Sequence, residues 1–461
     1  MKINDFSQGS IFKHIINLAL PMTLAQLVNV LYNMVDRMYL GRLENGSDVL
    51  AGVGICFPII MIISAFANFS SSGAVPLFSI ARGEKNEKEA FALLGNAFSM
   101  LMVFGMLIAT VCYLFRTQFM ALFGAGNDVL QIGDDYLSIY LLGTLFVMVS
   151  TGMNGFINAL GNGTVAMVSV LIGAIINIVL DPILIFQFDL GVKGAAIASV
   201  IAQACSATYI LWYLQRRHHE IYLAKHYLKL ESKRTLKIMS LGLSGFVMAF
   251  TNSLVQLVCN FSLSQHGSDI YISIMTIIQS IRELISMPVM GVTRASQPIM
   301  GYNYGAKCYE RVCKCIRIMS VACISYTFLL WLVVTWKPEW FILLFSDDAL
   351  LIESAKEALH LYYFGYFMMS FQFIGQSTFV GLGESKKAVF FSLFRKAFIV
   401  VPLTLVLPYV MNLGVNGVYI AEPISNFIGG GCCFVAMIYS VYIPLKRTYT
   451  KKYDKMTSEE I

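Results

Sequence analysis

Phe119-Met120-Ala121-Leu122-Phe123 returns as Phe341-Ile342-Leu343-Leu344-Phe345, 222 positions further on. The same offset carries Pro76 onto Pro298, Gly83 onto Gly305, Tyr140 onto Tyr362, Gly143 onto Gly365 and Leu160-Gly161 onto Leu382-Gly383. After one inserted residue, the pair Gly191/Gly194 becomes Gly414/Gly417. Solenoid repeats run to about 20–50 residues, so a period this long means two fused copies of one domain. The repeated stretches are strongly apolar, which places both copies in a membrane. Two membrane lobes with a site between them is an architecture that many transporters share.

Composition points the same way. The chain is 57% hydrophobic and 13% charged, with a mean hydropathy of +0.68; a soluble domain carries about 25% charged residues. Apolar runs of about 20 residues suffice to cross a hydrocarbon core as helix. Residues 1–14 are polar and lead straight into a full span, which reads as a retained helix rather than a cleaved signal peptide. The ten cysteines do not form a disulfide framework. Cys56, Cys112, Cys205, Cys259, Cys323, Cys432 and Cys433 lie in apolar spans, and Cys308, Cys313 and Cys315 lie in or beside a basic stretch. Reduced, structural thiols are expected.

The pattern predicts an all-α integral membrane protein of twelve transmembrane helices, in two pseudo-symmetric six-helix bundles around a central cleft. The first lobe (1–214) has spans near 15–39, 50–72, 92–114, 136–160, 165–187 and 193–214. A basic linker (215–236), in which His218 and His219 should be solvated, leads to the second lobe (237–445). Its spans lie near 237–262, 270–293, 316–336, 356–381, 388–411 and 415–443, and a tail follows from 446 to 461. With the N-terminus inside, roughly 23 Lys and Arg fall on one side and roughly 5 on the other. Both termini should therefore be cytoplasmic. The net charge of +6 follows from this asymmetry and does not call for nucleic acid.

Charge at mid-membrane is costly and marks function by default. Asp36 lies late in the first span. Asp181 lies in the fifth, with Asn177 one turn earlier and hence on the same face. Ser199 in the sixth adds a hydroxyl, and Pro21 interrupts the first helix and frees a backbone carbonyl. Two carboxylates with amide and hydroxyl oxygens suit a proton or a hard cation such as Na⁺. Were the acids to face each other across a dry pocket, one should hold a proton near neutral pH. The plainer reading pairs Asp36 with Arg37 or Arg42 at the outer interface and leaves Asp181 to cap a break at Pro182.

The second lobe has Val258 and Leu403 at the positions matching the two acids. It carries Arg282-Glu283 in the eighth span, Arg395-Lys396 in the eleventh and Glu422, the counterpart of Ser199, in the twelfth. Arg395 and Glu422 either form a buried pair or face the cleft, where Glu422 would attract a cation. Tyr136, Tyr140, Tyr362, Tyr363 and Tyr366 are the aromatics expected nearest the cleft, with Gln256 and Gln372 as polar lining. No phosphate loop of the Gly-x-x-x-x-Gly-Lys-Ser/Thr type is present, which argues against ATP as the driving force. No His-Glu-x-x-His or Gly-x-Ser-x-Gly motif is present, and Cys313-x-Cys315 lacks a second ligand pair for a metal.

Leu20-Pro21, Val35-Asp36 and Gly41-Arg42 resemble the first helix of the multidrug and toxic compound extrusion (MATE) family. So do Asn177-x-x-x-Asp181-Pro182 and Gly194-Ala195-Ala196-Ile197-Ala198-Ser199. Ala81-Arg82-Gly83 and Gly301-Tyr302-Asn303-Tyr304-Gly305-Ala306 look like the family's two matching loops after spans two and eight. The resemblance runs from about residue 10 to 445. It implies a monomeric, non-enzymatic antiporter of the plasma membrane that needs no cofactor and exports cationic or amphipathic drugs in exchange for H⁺ or Na⁺. It carries the coupling site onto Asp36, Asn177, Asp181 and Ser199, and the helix kink onto Pro21. Tyr136, Tyr140, Gln256, Arg282, Glu283, Gln372, Arg395 and Glu422 are the candidate cavity residues. The chain departs from the NorM-like branch, which has acids in helices seven and ten. Here the seventh span has Asn252, Gln256 and Asn260, and the tenth has Gln372 and Gln376. This favours a DinF/MepA-like branch of the MOP flippase superfamily, coupled through the first lobe. The rival is a lipid-linked oligosaccharide flippase of the same superfamily, which Arg282, Arg294 and Arg395 would suit.

Overall fold

The computed structural model describes residues 5–123, 126–216, 221–266, 269–345, 349–410 and 413–459. His218 and His219 lie outside them. The described chain is helical almost throughout. Ten of its helices are long and apolar enough to cross a membrane, from Ile11–Leu40 to Val415–Lys451. The other two expected spans are present but broken. In the first half, Val129–Leu142 and Thr144–Ala159 meet at 59° across Gly143. In the second, Ala349–Tyr362 and Met368–Gly381 are separated by a turn containing Gly365. Gly143 and Gly365 are repeat equivalents, so both copies break their fourth span at the same place.

The copies agree in finer detail. Ala81-Arg82-Gly83 and Gly301–Gly305 prove to be the last turns of helices Gly46–Gly83 and Asp269–Gly305, not loops. Each helix is followed by a residue in the left-handed region, Lys85 at φ 57° and its equivalent Lys307 at φ 58°. This reverses the chain as a C-terminal cap normally does. Asn86 then opens the third helix by accepting a hydrogen bond from the Glu89 amide at 3.2 Å.

Four segments widen into π-helical turns: Ile183–Gln187, Phe394–Val400, Asn426–Gly430 and Ile438–Tyr442. Each adjoins a proline, namely Pro182, Pro402, Pro423 and Pro444. A proline contributes no amide hydrogen, so the helical ladder must shift around it.

The chain divides into two compact units. The first comprises Met1–Asp5 with Leu20–Gly242, and the second Phe6–Ala19 with Leu243–Ile461. The division cuts the first helix between Ala19 and Leu20, beside Pro21. The first unit packs around Cys56, Ile59, Phe78, Met148 and Phe156. Within it Gly73 and Gly242 let two helices touch backbone to backbone; a Cβ at either would run into the carbonyl oxygen of Ile238 or Phe69. The second unit packs around Leu263, Ile278, Tyr363, Tyr366 and Tyr419. Large apolar side chains such as Leu107, Phe250 and Phe398 point outward, as lipid-facing residues do in a multi-pass membrane protein. All ten cysteines are free thiols.

Candidate functional site

In the first unit, Asp36 near the end of helix Ile11–Leu40 and Asp181 at the end of helix Gly163–Pro182 bring their carboxyl groups within hydrogen-bonding reach. The Asn177 amide donates to Asp181 Oδ1 at 3.2 Å and to Ser199 Oγ at 3.5 Å. The four residues singled out by sequence thus converge. Asn177 and Asp181 are buried at 1% and 0% exposure. Pro182 ends the regular ladder one residue later, so Asp181 sits where the backbone changes from α to π.

Asp181 does lie at the break beside Pro182, whereas the expected pairing of Asp36 with Arg37 or Arg42 is not seen. Asp36 forms no ion pair among the described residues, and the Arg37 guanidinium lies over the Phe57 ring at 4.6 Å. Asp36 Oδ1, Asn177 Oδ1 and Asp181 Oδ2 are buried acceptors without a donor. Three oxygens from three residues thus lack the partner that buried polar groups normally have. Tyr136 and Tyr140 stack at 5.8 Å beside this cluster, and Tyr136 neighbours Ser199. The two tyrosines expected at a drug cavity thus wall the acid site. Tyr32 also lies beside both acids. Sequence reasoning passed over it, although its position one turn before Asp36 on the same helix face was a usable signal.

The second unit gathers the opposite charge. Glu422 Oε1 accepts from Arg395, from Lys396 Nζ at 3.4 Å and from Arg282 Nη1 at 3.5 Å. Glu422 and Arg395 are both 4% exposed, so the expected pair is present and buried. Lys396 and Arg282 extend it to a group of four. The π-helical turn Phe394–Val400 presents Arg395 and Lys396 together. Tyr366 shares a hydrogen bond of 3.1 Å with Ser286 next to this group, and the Gln279 amide reaches Tyr362 at 3.5 Å.

The remaining candidates stand apart from it. Gln372 is buried and donates to the Phe391 carbonyl at 3.3 Å. Gln256 and Glu283 are exposed. Pro21 lies inside an unbroken helix. Among the described residues no cluster of His, Cys, Asp or Glu could hold a metal ion.

Comparison with known proteins agrees with this architecture. The MatE family model matches residues 21–183 and 245–406, one match in each repeat. "Multidrug export protein MepA" of Staphylococcus haemolyticus is 25% identical over 440 residues, covering 95% of each chain. The protein of the same name from Staphylococcus aureus is 24% identical over 454 residues, again covering 95% of each. Among solved structures, "MATE in the bent conformation" superposes with a TM-score of 0.90 at 21% identity, covering 97% of this chain and 99% of that one.

Proposed function

Because this chain belongs to the MatE family, we propose that it is a multidrug exporter, an antiporter that drives organic cations and amphipathic drugs outward in exchange for H⁺ or Na⁺. The observation that carries this reading is the convergence of the unpartnered oxygens of Asp36, Asn177 and Asp181 in the interior of one unit. Two adjoining carboxylates away from water repel each other. A proton shared between them or a Na⁺ held among the three oxygens removes that repulsion and satisfies the acceptors. The Ser199 hydroxyl and the Tyr136 phenol orient the surrounding oxygens.

In this reading, ion entry from outside neutralises the acids. The first helix then bends near Pro21, where the missing amide weakens the ladder, and drug leaves outward. Release of the ion to the cytoplasm restores the negative charge that favours a cationic drug. Ion and drug are exchanged because each has a different affinity for the two conformations, which is the only way a ligand can shift such an equilibrium. The protein would act as a monomer in the plasma membrane, with both termini in the cytoplasm.

Efflux of a fluorescent cation from vesicles holding the purified protein tests the proposal. A pH gradient and a Na⁺ gradient are imposed separately, with Asp36→Asn and Asp181→Asn alongside. Transport under one gradient, abolished in both variants, supports the antiporter and names the ion. Unchanged transport in folded Asp36→Asn protein would defeat it, and no transport under either gradient would favour a lipid-linked substrate.

A further inference from the structure

The four-residue group in the second unit does not balance. Three cations meet one carboxylate, and all three bonds fall on the same oxygen, Glu422 Oε1. Two positive charges are left unmatched, or one if Lys396 is neutral. No second acid pairs with any of the three among the described residues; Glu283, adjacent to Arg282, is exposed and makes no ion pair with it. Arg395 and Lys396 occupy the middle of span Ser385–Tyr409, where unmatched charge is costliest. A group arranged only for stability would match its charges or dispense with them.

The group is reachable at one point. The Arg282 side chain is 26% exposed, against 5% for Arg395 and 9% for Lys396. Among the described residues the long contact with Glu422 is the one hydrogen bond its guanidinium makes, which leaves most of its N–H groups without a protein acceptor there. Deeper in, Asn426 lies one turn after Glu422 on the same helix. It is fully buried, and neither the nitrogen nor the oxygen of its amide has a partner. Tyr362 and Tyr366 lie beside Arg282, buried at 2% and 1% exposure in the core of the unit.

The repeat shows that this charge was acquired by one copy alone. The positions equivalent to Arg282, Arg395 and Lys396 in the first unit are Ile60, Gly173 and Ala174. The first unit instead concentrates two acids where the second has Val258 and Leu403. The two copies have diverged to opposite signs.

We propose that the second unit holds an oxyanion-binding site, in which Arg282, Lys396 and Arg395 receive the carboxylate of an organic acid. Arg282 makes the outer contact, with the two deeper cations and the Asn426 amide behind it. The site binds without any gradient and therefore stands apart from the antiport reading.

The test is equilibrium binding to the full chain in phosphatidylcholine nanodiscs, using 7-methoxycoumarin-4-acetate and its uncharged primary amide. The carboxylate should bind at least about tenfold more tightly than the amide, the difference expected from one charge-assisted hydrogen bond in a dry site. Arg282→Gln should abolish most of that preference and Arg282→Lys should keep part of it. Equal affinity for acid and amide in the parent protein overturns the proposal, whatever becomes of the variants. So does a preference that survives Arg282→Gln, or displacement of the probe by pyrophosphate but not by other carboxylates.

Discussion

Asp36 and Asp181 stand within hydrogen-bonding reach of each other, and neither forms an ion pair among the described residues. Two ionised carboxylates in a site this dry would repel, so the pair is stable only with a proton or cation between them. Function and stability should therefore separate here. Asp36→Asn and Asp181→Asn each keep the side-chain shape and remove one charge. Both are expected to lose gradient-driven export to the level of protein-free vesicles, yet to unfold at a temperature no lower than the parent. Efflux and thermal melting on the same preparations measure this; melting lowered in both variants would make the acids structural.

The acid site was legible in sequence because its chemistry is rare in a membrane span. Asp36, Asn177, Asp181 and Ser199 stand out against an apolar background, and the i, i+4 spacing of Asn177 and Asp181 gives their common face. The fold was legible from the offset of 222 residues, but the breaks at Gly143 and Gly365 in the fourth spans were not expected. What sequence could not convey was contact between distant helices. Nothing in the chain says that Arg282 and Arg395 reach the same oxygen of Glu422, so sequence left open a simple buried pair or a Glu422 facing the cleft where a group of four exists. The same holds for the tyrosines: helical spacing puts Tyr136 and Tyr140 on one face without saying that Asp36 and Ser199 lie beside them.

Gly365 and Gly143 break equivalent spans but should tolerate substitution differently. Gly365 has φ +64°, and a Cβ there would strike the Phe427 ring. Gly143 has φ −82°, and its Cβ would meet the Val200 side chain at 2.7 Å. The first position has left-handed backbone that an L side chain rarely adopts, besides the ring that must move, whereas the second asks only that a valine shift. Gly365→Ala should cost about 1–3 kcal/mol and Gly143→Ala less. Thermal unfolding of the two variants side by side decides the order.

Arg311 holds the chain's first described residues within the second unit. Its guanidinium donates to the carbonyl oxygens of Phe6 at 2.7 Å, Gln8 at 3.0 Å and Gly9 at 3.0 Å, and to Asn303 Oδ1 at 3.1 Å. Phe6 is buried at 1% exposure and meets the rings of His14 and Tyr302 edge-on. Arg311→Met keeps the aliphatic stem and removes every one of those donors. Amide hydrogen exchange should accelerate across residues 5–14 and remain unchanged in the distant core around Phe78 and Phe156. Uniform acceleration throughout the chain would point to global destabilisation instead.

Glu422 is the residue whose loss the second unit should tolerate least. Among the described residues it is the one acid that pairs with Arg395, Lys396 and Arg282. Removing one partner of a buried charged group leaves the others uncompensated, which costs about 3–5 kcal/mol. Glu422→Gln should therefore melt well below the parent, while Arg282→Gln, which reduces an excess of positive charge, should melt close to it. A carboxylate ligand able to occupy the site would supply the missing negative charge, so 7-methoxycoumarin-4-acetate should raise the melting temperature of Glu422→Gln and its amide should not. Replacing Arg282, Arg395, Lys396 and Glu422 together by Met removes the imbalance with the charges, and such whole-group replacements are often neutral or stabilising. That variant should recover stability while losing the preference for carboxylate over amide. If the quadruple variant binds the acid as tightly as the parent, the cluster is structural and the oxyanion is held elsewhere.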